Sequence, residues 1–165
     1  MIKAAPPSLS VAGGTYTTTQ TVALSAAAGL SIYYTTNGSV PTAASTRYTG
    51  PIAVAQSMTI RAIAAGTGVL ESDVASASYV FQAAAPTFDP PSRNFLLPLS
   101  VRLSTATPGA TIFYTTDGST PTLSSRQYTG PILVVTTTTI KAISVRLGWT
   151  ESGVASATYT LLGGL

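Results

Sequence analysis

Apolar positions along the chain recur every second residue, in short bursts separated by polar turns. Val22-Ala23-Leu24 and Val101-Arg102-Leu103 alternate as half-buried strands do, and residues 32–36 and 112–116 are dense in β-branched and aromatic side chains. Asn37-Gly38 and Asp117-Gly118 close those strands with residues that tolerate positive φ, and Pro41 and Pro121 follow where a ladder cannot continue. Strands are predicted to resume at Tyr48 and Tyr128, pass a Thr-Gly-Pro turn, and run through residues 52–54 and 132–135. Residues 58–65 with 71–81, and 138–146 with 151–161, read as hairpins. In the first of these Ala75, Ala77, Tyr79 and Phe81 share the inward face, and Ser72, Val74, Ser76 and Ser78 the other. Ile60 and Ile63 leave the faces of residues 60–65 open, since both cannot point inward without a bulge. No stretch carries a helical period.

The pattern is written twice. Residues 32–52, IYYTTNGSVPTAASTRYTGPI, return as IFYTTDGSTPTLSSRQYTGPI at 112–132, with fourteen of twenty-one positions identical and an offset of 112 − 32 = 80. The same offset relates Arg61-Ala62-Ile63 to Lys141-Ala142-Ile143, and Tyr79 to Tyr159. About seven short strands per eighty residues predict an all-β fold of two tandem immunoglobulin-like Greek-key β-sandwiches, residues 1–82 and 83–165.

The copies differ in their apolar content. The second has Leu96, Leu97, Leu133, Val135, Leu147 and Trp149 where the first has Thr17, Thr18, Ala53, Ala55, Thr67 and Val69. Its surface is expected to be greasier, with residues 161–165, LLGGL, adding to it. Two readings stay open: these side chains mark a contact site, or they fill a contact between the modules.

Composition narrows the function classes. The chain has 165 residues, 8% charged, with a mean hydropathy of +0.36 and no cysteine, so stability must come from packing rather than disulfides. The net charge of +3 comes from eight Lys and Arg scattered along the chain. Nucleic-acid binding, which wants cations gathered on one face, is not expected. No apolar run reaches the roughly 18 residues of a membrane span, and the first residues lack the apolar core of a signal peptide.

Candidate chemistry is sparse. With neither His nor Cys, the usual general base, the thiol nucleophile and the common zinc ligands are missing. Glu71 and Asp73, two apart on a predicted strand, would stand about 7 Å apart, within the range of a glycosidase carboxylate pair. The second copy keeps Glu151 but has Gly153, and the expectation for the pair is a solvated strand end. Asp117 lacks the further carboxylates that calcium wants, so an Asx turn is expected there. No catalytic residue, metal or cofactor is expected. Trp149, the only tryptophan, follows Gly148 at a hairpin tip; Tyr33 and Phe113 face away from the presumed core residues Tyr34 and Tyr114. Together with Leu96, Leu97 and Leu147 they are the candidates for contact with a partner protein or a sugar, although the Trp149 ring can equally cover its own loop.

The run I-x-Y-T-T-D-G-S-x-P-T, then S-x-x-Y-T-G-P-I, T-I-K-A-I, E-S and an S-A-x-Y strand resembles the chitobiase/β-hexosaminidase C-terminal repeat, an immunoglobulin-like or fibronectin-III-associated module of bacterial secreted and surface proteins. The resemblance covers nearly all of both copies; Asn37 and Val40 depart from it in the first. It implies a non-catalytic accessory or spacer module. Two functions are expected to compete. One is a structural component of a virion or extracellular assembly that contacts copies of itself or other subunits. The other is a carbohydrate-binding or spacer module of a secreted glycosidase.

Overall fold

The computed structural model describes residues 1–163, and the chain divides into two compact units between Phe81 and Gln82. Gly164 and Leu165, part of the expected apolar C-terminus, lie outside the described residues. No helix occurs among those described.

In the first unit the strands are β1 (Ile2–Lys3), β2 (Ser8–Leu9), β3 (Gly14–Tyr16), β4 (Gln20–Val22), β5 (Leu24–Ser25), β6 (Ser31–Thr35), β7 (Thr46–Arg47), β8 (Ile52–Val54), β9 (Met58–Ala65), β10 (Val69–Leu70) and β11 (Ala75–Phe81). A five-stranded sheet has the order β3-β11-β9-β6-β7, with β3 parallel to β11 and the rest antiparallel. Opposite it, β4 pairs with β8 and β2 with β5. The crossing from β4 to β8, with β6 between them in the other sheet, is what makes the connection a Greek key. A short parallel pair, β1 with β10, completes the unit.

The second unit repeats this with β12 (Thr87–Asp89), β13 (Arg93–Phe95), β14 (Leu99–Ser104), β15 (Thr111–Thr115), β16 (Arg126–Gln127), β17 (Ile132–Val134), β18 (Thr138–Val145) and β19 (Ala155–Leu161). Its sheets are β13-β19-β18-β15-β16 and β12-β14-β17. One unbroken strand, β14, stands where the first unit has β4 and β5 separated at Ala23.

Alternation decides which residues fill each core. Val101 and Leu103 point inward from β14, Ile132 and Val134 from β17, and Ile112, Tyr114, Ile140, Ala142, Ala157 and Tyr159 from the facing sheet. Each large aliphatic buried this way contributes about 1.5–3 kcal/mol. The first unit buries the matching Val22, Leu24, Ile32, Val54, Ile60, Ala62, Tyr79 and Phe81. Tyr34, expected in the core beside them, is only half-buried, whereas Tyr114 is buried. Each packs edge-on against a neighbouring ring, Tyr48 or Tyr128, at 6.3 and 6.4 Å.

One open point is answered and three local expectations are corrected. No bulge separates Ile60 from Ile63: the register of β9 runs unbroken against both β6 and β11. Ile63 lies on the outer face of the central strand, paired across to Tyr33, and is still buried. Strands do not start at Tyr48 and Tyr128; they end just before, and each of these residues donates its N–H to the carbonyl of Ile32 or Ile112 at 2.8 Å. The last strands begin at Ala75 and Ala155, not at the glutamates. Ser72, expected on the outer face, is buried because its hydroxyl accepts the Ala64 N–H at 2.9 Å; Ser152 does the same for Ser144 at 2.8 Å.

Candidate functional site

Aspartates and glutamates do not converge. Glu71 and Asp73 sit in the loop before β11, both exposed, and Asp73 pairs with Lys3. Among the described residues no three His, Cys, Asp or Glu side chains gather to hold a metal ion. Asp117 Oδ1 accepts from the Ser119 hydroxyl at 2.5 Å and from its N–H at 3.0 Å, and these bonds hold the carboxyl below its ordinary pKa. Asn37 Oδ1 receives the same two bonds, from the Ser39 hydroxyl at 2.6 Å and from its N–H at 3.0 Å. An amide and a carboxylate serve one geometry because each presents an Oδ1 that accepts, which is how an Asx turn works. Gly38 and Gly118, each at φ +78°, supply the left-handed residue that follows.

The aromatic candidates do not form a platform. Trp149 is 8% exposed, and the Arg146 guanidinium lies 4.3 Å from its ring centroid. Of the two readings, a sugar platform and a ring packed on its own loop, the burial favours the second, and the indole is capped by a cation, a favourable pairing that shields the ring face from a sugar. Tyr33 and Phe113 are half-buried on the outer face of the five-stranded sheets, each paired across to Ile63 or Ile143.

The aliphatic candidates are open to solvent. Leu96 and Leu97, between β13 and β14, are 67% and 78% exposed, and Leu147, in the turn after β18, is 98% exposed. Leu133 on β17 and Val135 just after it are exposed as well. They fall into two places. Leu97 lies two residues before Leu99, which pairs with Val134, so Leu97, Leu133 and Val135 share one end of the β12-β14-β17 sheet. Leu147 lies beyond the far end of β18, an eight-residue strand about 25 Å long. Two shallow grooves follow the first cluster. One, of about 520 Å³, is lined by Arg126, Thr116 and residues 131–138, and another, of about 330 Å³, by residues 95–99 and Arg93. Leu133 and Val135 were legible as apolar replacements for Ala53 and Ala55, but their place beside Leu97 comes only from strand register.

Two units, each with a five-stranded, mostly antiparallel sheet packed against shorter strands in an immunoglobulin-like connectivity, define a tandem β-sandwich protein. A family model for the chitobiase/beta-hexosaminidase C-terminal domain matches residues 11–76 and 90–160, once in each unit. The chain belongs to that family. No curated protein matches it. Among solved structures it is similar to the fibronectin(III)-like modules of Clostridium thermocellum CbhA, at 16% identity over 94% of this chain and 93% of that one, with a TM-score of 0.32. It is also similar to the N-terminal four Ig domains of Dscam1 isoform 6.9, at 11% identity over 89% of this chain and 42% of that one, TM-score 0.37. A third is murine CEACAM1b, at 8% identity over 95% and 99%, TM-score 0.34.

Proposed function

We propose that the chain is a non-catalytic structural module of a larger assembly, a virion or an extracellular surface structure, and that it works by protein contact through its second unit. One observation carries this reading. The same scaffold closes in the first unit with Thr17, Thr18, Ala53, Ala55 and Thr67, so the exposed Leu96, Leu97, Leu133, Val135 and Leu147 are not needed for folding. Apolar side chains gathered on a surface without a folding role are characteristic of contact sites. The lack of His and Cys and the dispersed, solvated carboxylates support a non-catalytic role. The carbohydrate-binding alternative has less support, because the one tryptophan is covered.

Photo-crosslinking groups placed at Leu97, and separately at Thr18, test this in the cell or particle that makes the protein. Discrete protein adducts from position 97 and none from position 18 are expected. No adduct from position 97, or the same adducts from both, would overturn it.

A further inference from the structure

β17 is the terminal strand of its sheet and is laddered on one side only, to β14. Alternate N–H and C=O groups on its free side therefore have no strand to pair with, and proteins normally guard such an edge with charge, proline or a bulge. This edge is uncharged in sequence: β17 and the residues that lead from it to β18, positions 132–137, read ILVVTT, with no ionisable side chain or glycine, and Pro131 stands just ahead of the strand. Uncharged, β-branched segments of that kind are strong strand-pairing elements. Leu133 and Val135 stand on its outer face, 68% and 51% exposed, beside the open groove of about 520 Å³.

Resting on the contact role proposed above, we infer that the partner is a second copy of this chain, joined by antiparallel pairing of β17 with the same strand of the other copy. The two three-stranded sheets would become one of six. The argument for self-pairing is complementarity. Read antiparallel about Val134, the strand and the two residues after it set Leu133 opposite Val135, Val134 opposite itself and Ile132 opposite Thr136, so no like charges meet. Faces match too: Leu133 and Val135 both point outward, while Ile132 and Val134 point into the core. A two-fold axis through Val134 uses one patch twice and closes the assembly as a dimer. β17 is only three residues long, so backbone bonds alone would not suffice. Leu96 and Leu97 at the same end supply further apolar area toward the roughly 800 Å² per partner of a stable interface. Among the described residues Arg126 is the one ionisable side chain lining the groove, so an acidic extended peptide is the rival occupant.

The test uses the whole chain. Sedimentation equilibrium from micromolar to millimolar concentration should give a mass rising toward twice 16.7 kDa. Leu133→Lys should return it to the single-chain mass, while Leu147→Lys at the far end should leave dimerisation unchanged. Because the chain has no cysteine, L133C/V135C adds the only thiols. Opposed positions in an antiparallel pair lie about 4.5–5.5 Å apart, within disulfide reach. Mild oxidation should convert this variant to a covalent dimer and leave A53C/A55C monomeric. A wild-type monomer throughout, a dimer that Leu147→Lys and not Leu133→Lys abolishes, or no covalent dimer from L133C/V135C would each overturn self-pairing. Adducts from position 97 to a different protein, with the purified chain monomeric, would overturn self-pairing alone and leave the contact role standing. An acidic peptide that binds the monomer and is lost in Leu133→Lys would have the same consequence.

Discussion

The hydroxyl of Tyr159, on the last strand of the second unit, donates to the backbone carbonyl of Pro90 at 2.6 Å. Pro90 lies between β12 and β13, where the chain leaves one sheet for the other, so the bond ties the end of the unit to its beginning. Tyr79 makes the same link to the carbonyl of Val11 at 2.7 Å. Both rings are buried in their cores, with only the hydroxyl reaching a polar partner.

Removing one hydroxyl tests that tie. Tyr159→Phe and Tyr79→Phe should each lower stability by about 1 kcal/mol, the net worth of an ordinary hydrogen bond. Tyr159→Ala should cost about 3–5 kcal/mol, as other large buried aromatics do. Chemical denaturation separates the two: equal losses would mean that the ring is not buried.

Alkaline pH should act through the same residues. Burial raises the pKa of Tyr79, with Tyr16 adding to it, and burial followed by the charge of Asp89 raises that of Tyr159. A phenol whose folded pKa lies above its unfolded value, about 10, contributes stability that is fully present below that pH. The contribution is lost as pH rises through the folded pKa. Denaturation midpoints should therefore fall above pH ~10, and fall less in Tyr159→Phe. An unchanged slope in that variant would remove Tyr159 as the cause.

Ser144 carries a buried hydroxyl with no hydrogen-bond partner among the described residues, at the position where the first unit has Ala64. Leaving such a group unsatisfied costs about 1–3 kcal/mol, so Ser144→Ala should be neutral or raise stability by about 1 kcal/mol. Ala64→Ser should lower it. Calorimetry on both variants checks the pair, and a destabilising Ser144→Ala would mean that the hydroxyl is satisfied.

Trp149 should report on its own loop rather than on a ligand. Its emission is expected to be blue-shifted as for a covered indole, and Arg146→Ala should move it to the red by uncovering the ring face. Trp149→Ala should destabilise the chain without changing its elution from an insoluble polysaccharide. Loss of retention in a folded Trp149→Ala would restore the sugar reading.

Repetition at an offset of 80, alternation along each strand and the Asn-Gly and Asp-Gly turns were enough to read two β-sandwiches from the residues alone, because strand period and turn chemistry are local properties. The family followed from the same motifs. Ile63 shows where locality ends: it sits on the outer face, yet its place in a central strand buries it. Ser72 turned inward because a neighbouring N–H needed an acceptor, which no period encodes. For Trp149 the residues left a sugar contact and packing on its own loop both open, and only the placing of Arg146 over the ring favours the second. The apolar replacements at 96, 97, 133, 135 and 147 were visible one by one in the sequence. Only the pairing of Leu99 with Val134 gathered four of them at one sheet end and left Leu147 at the other, because strand register, a long-range choice, sets which surface residues are neighbours.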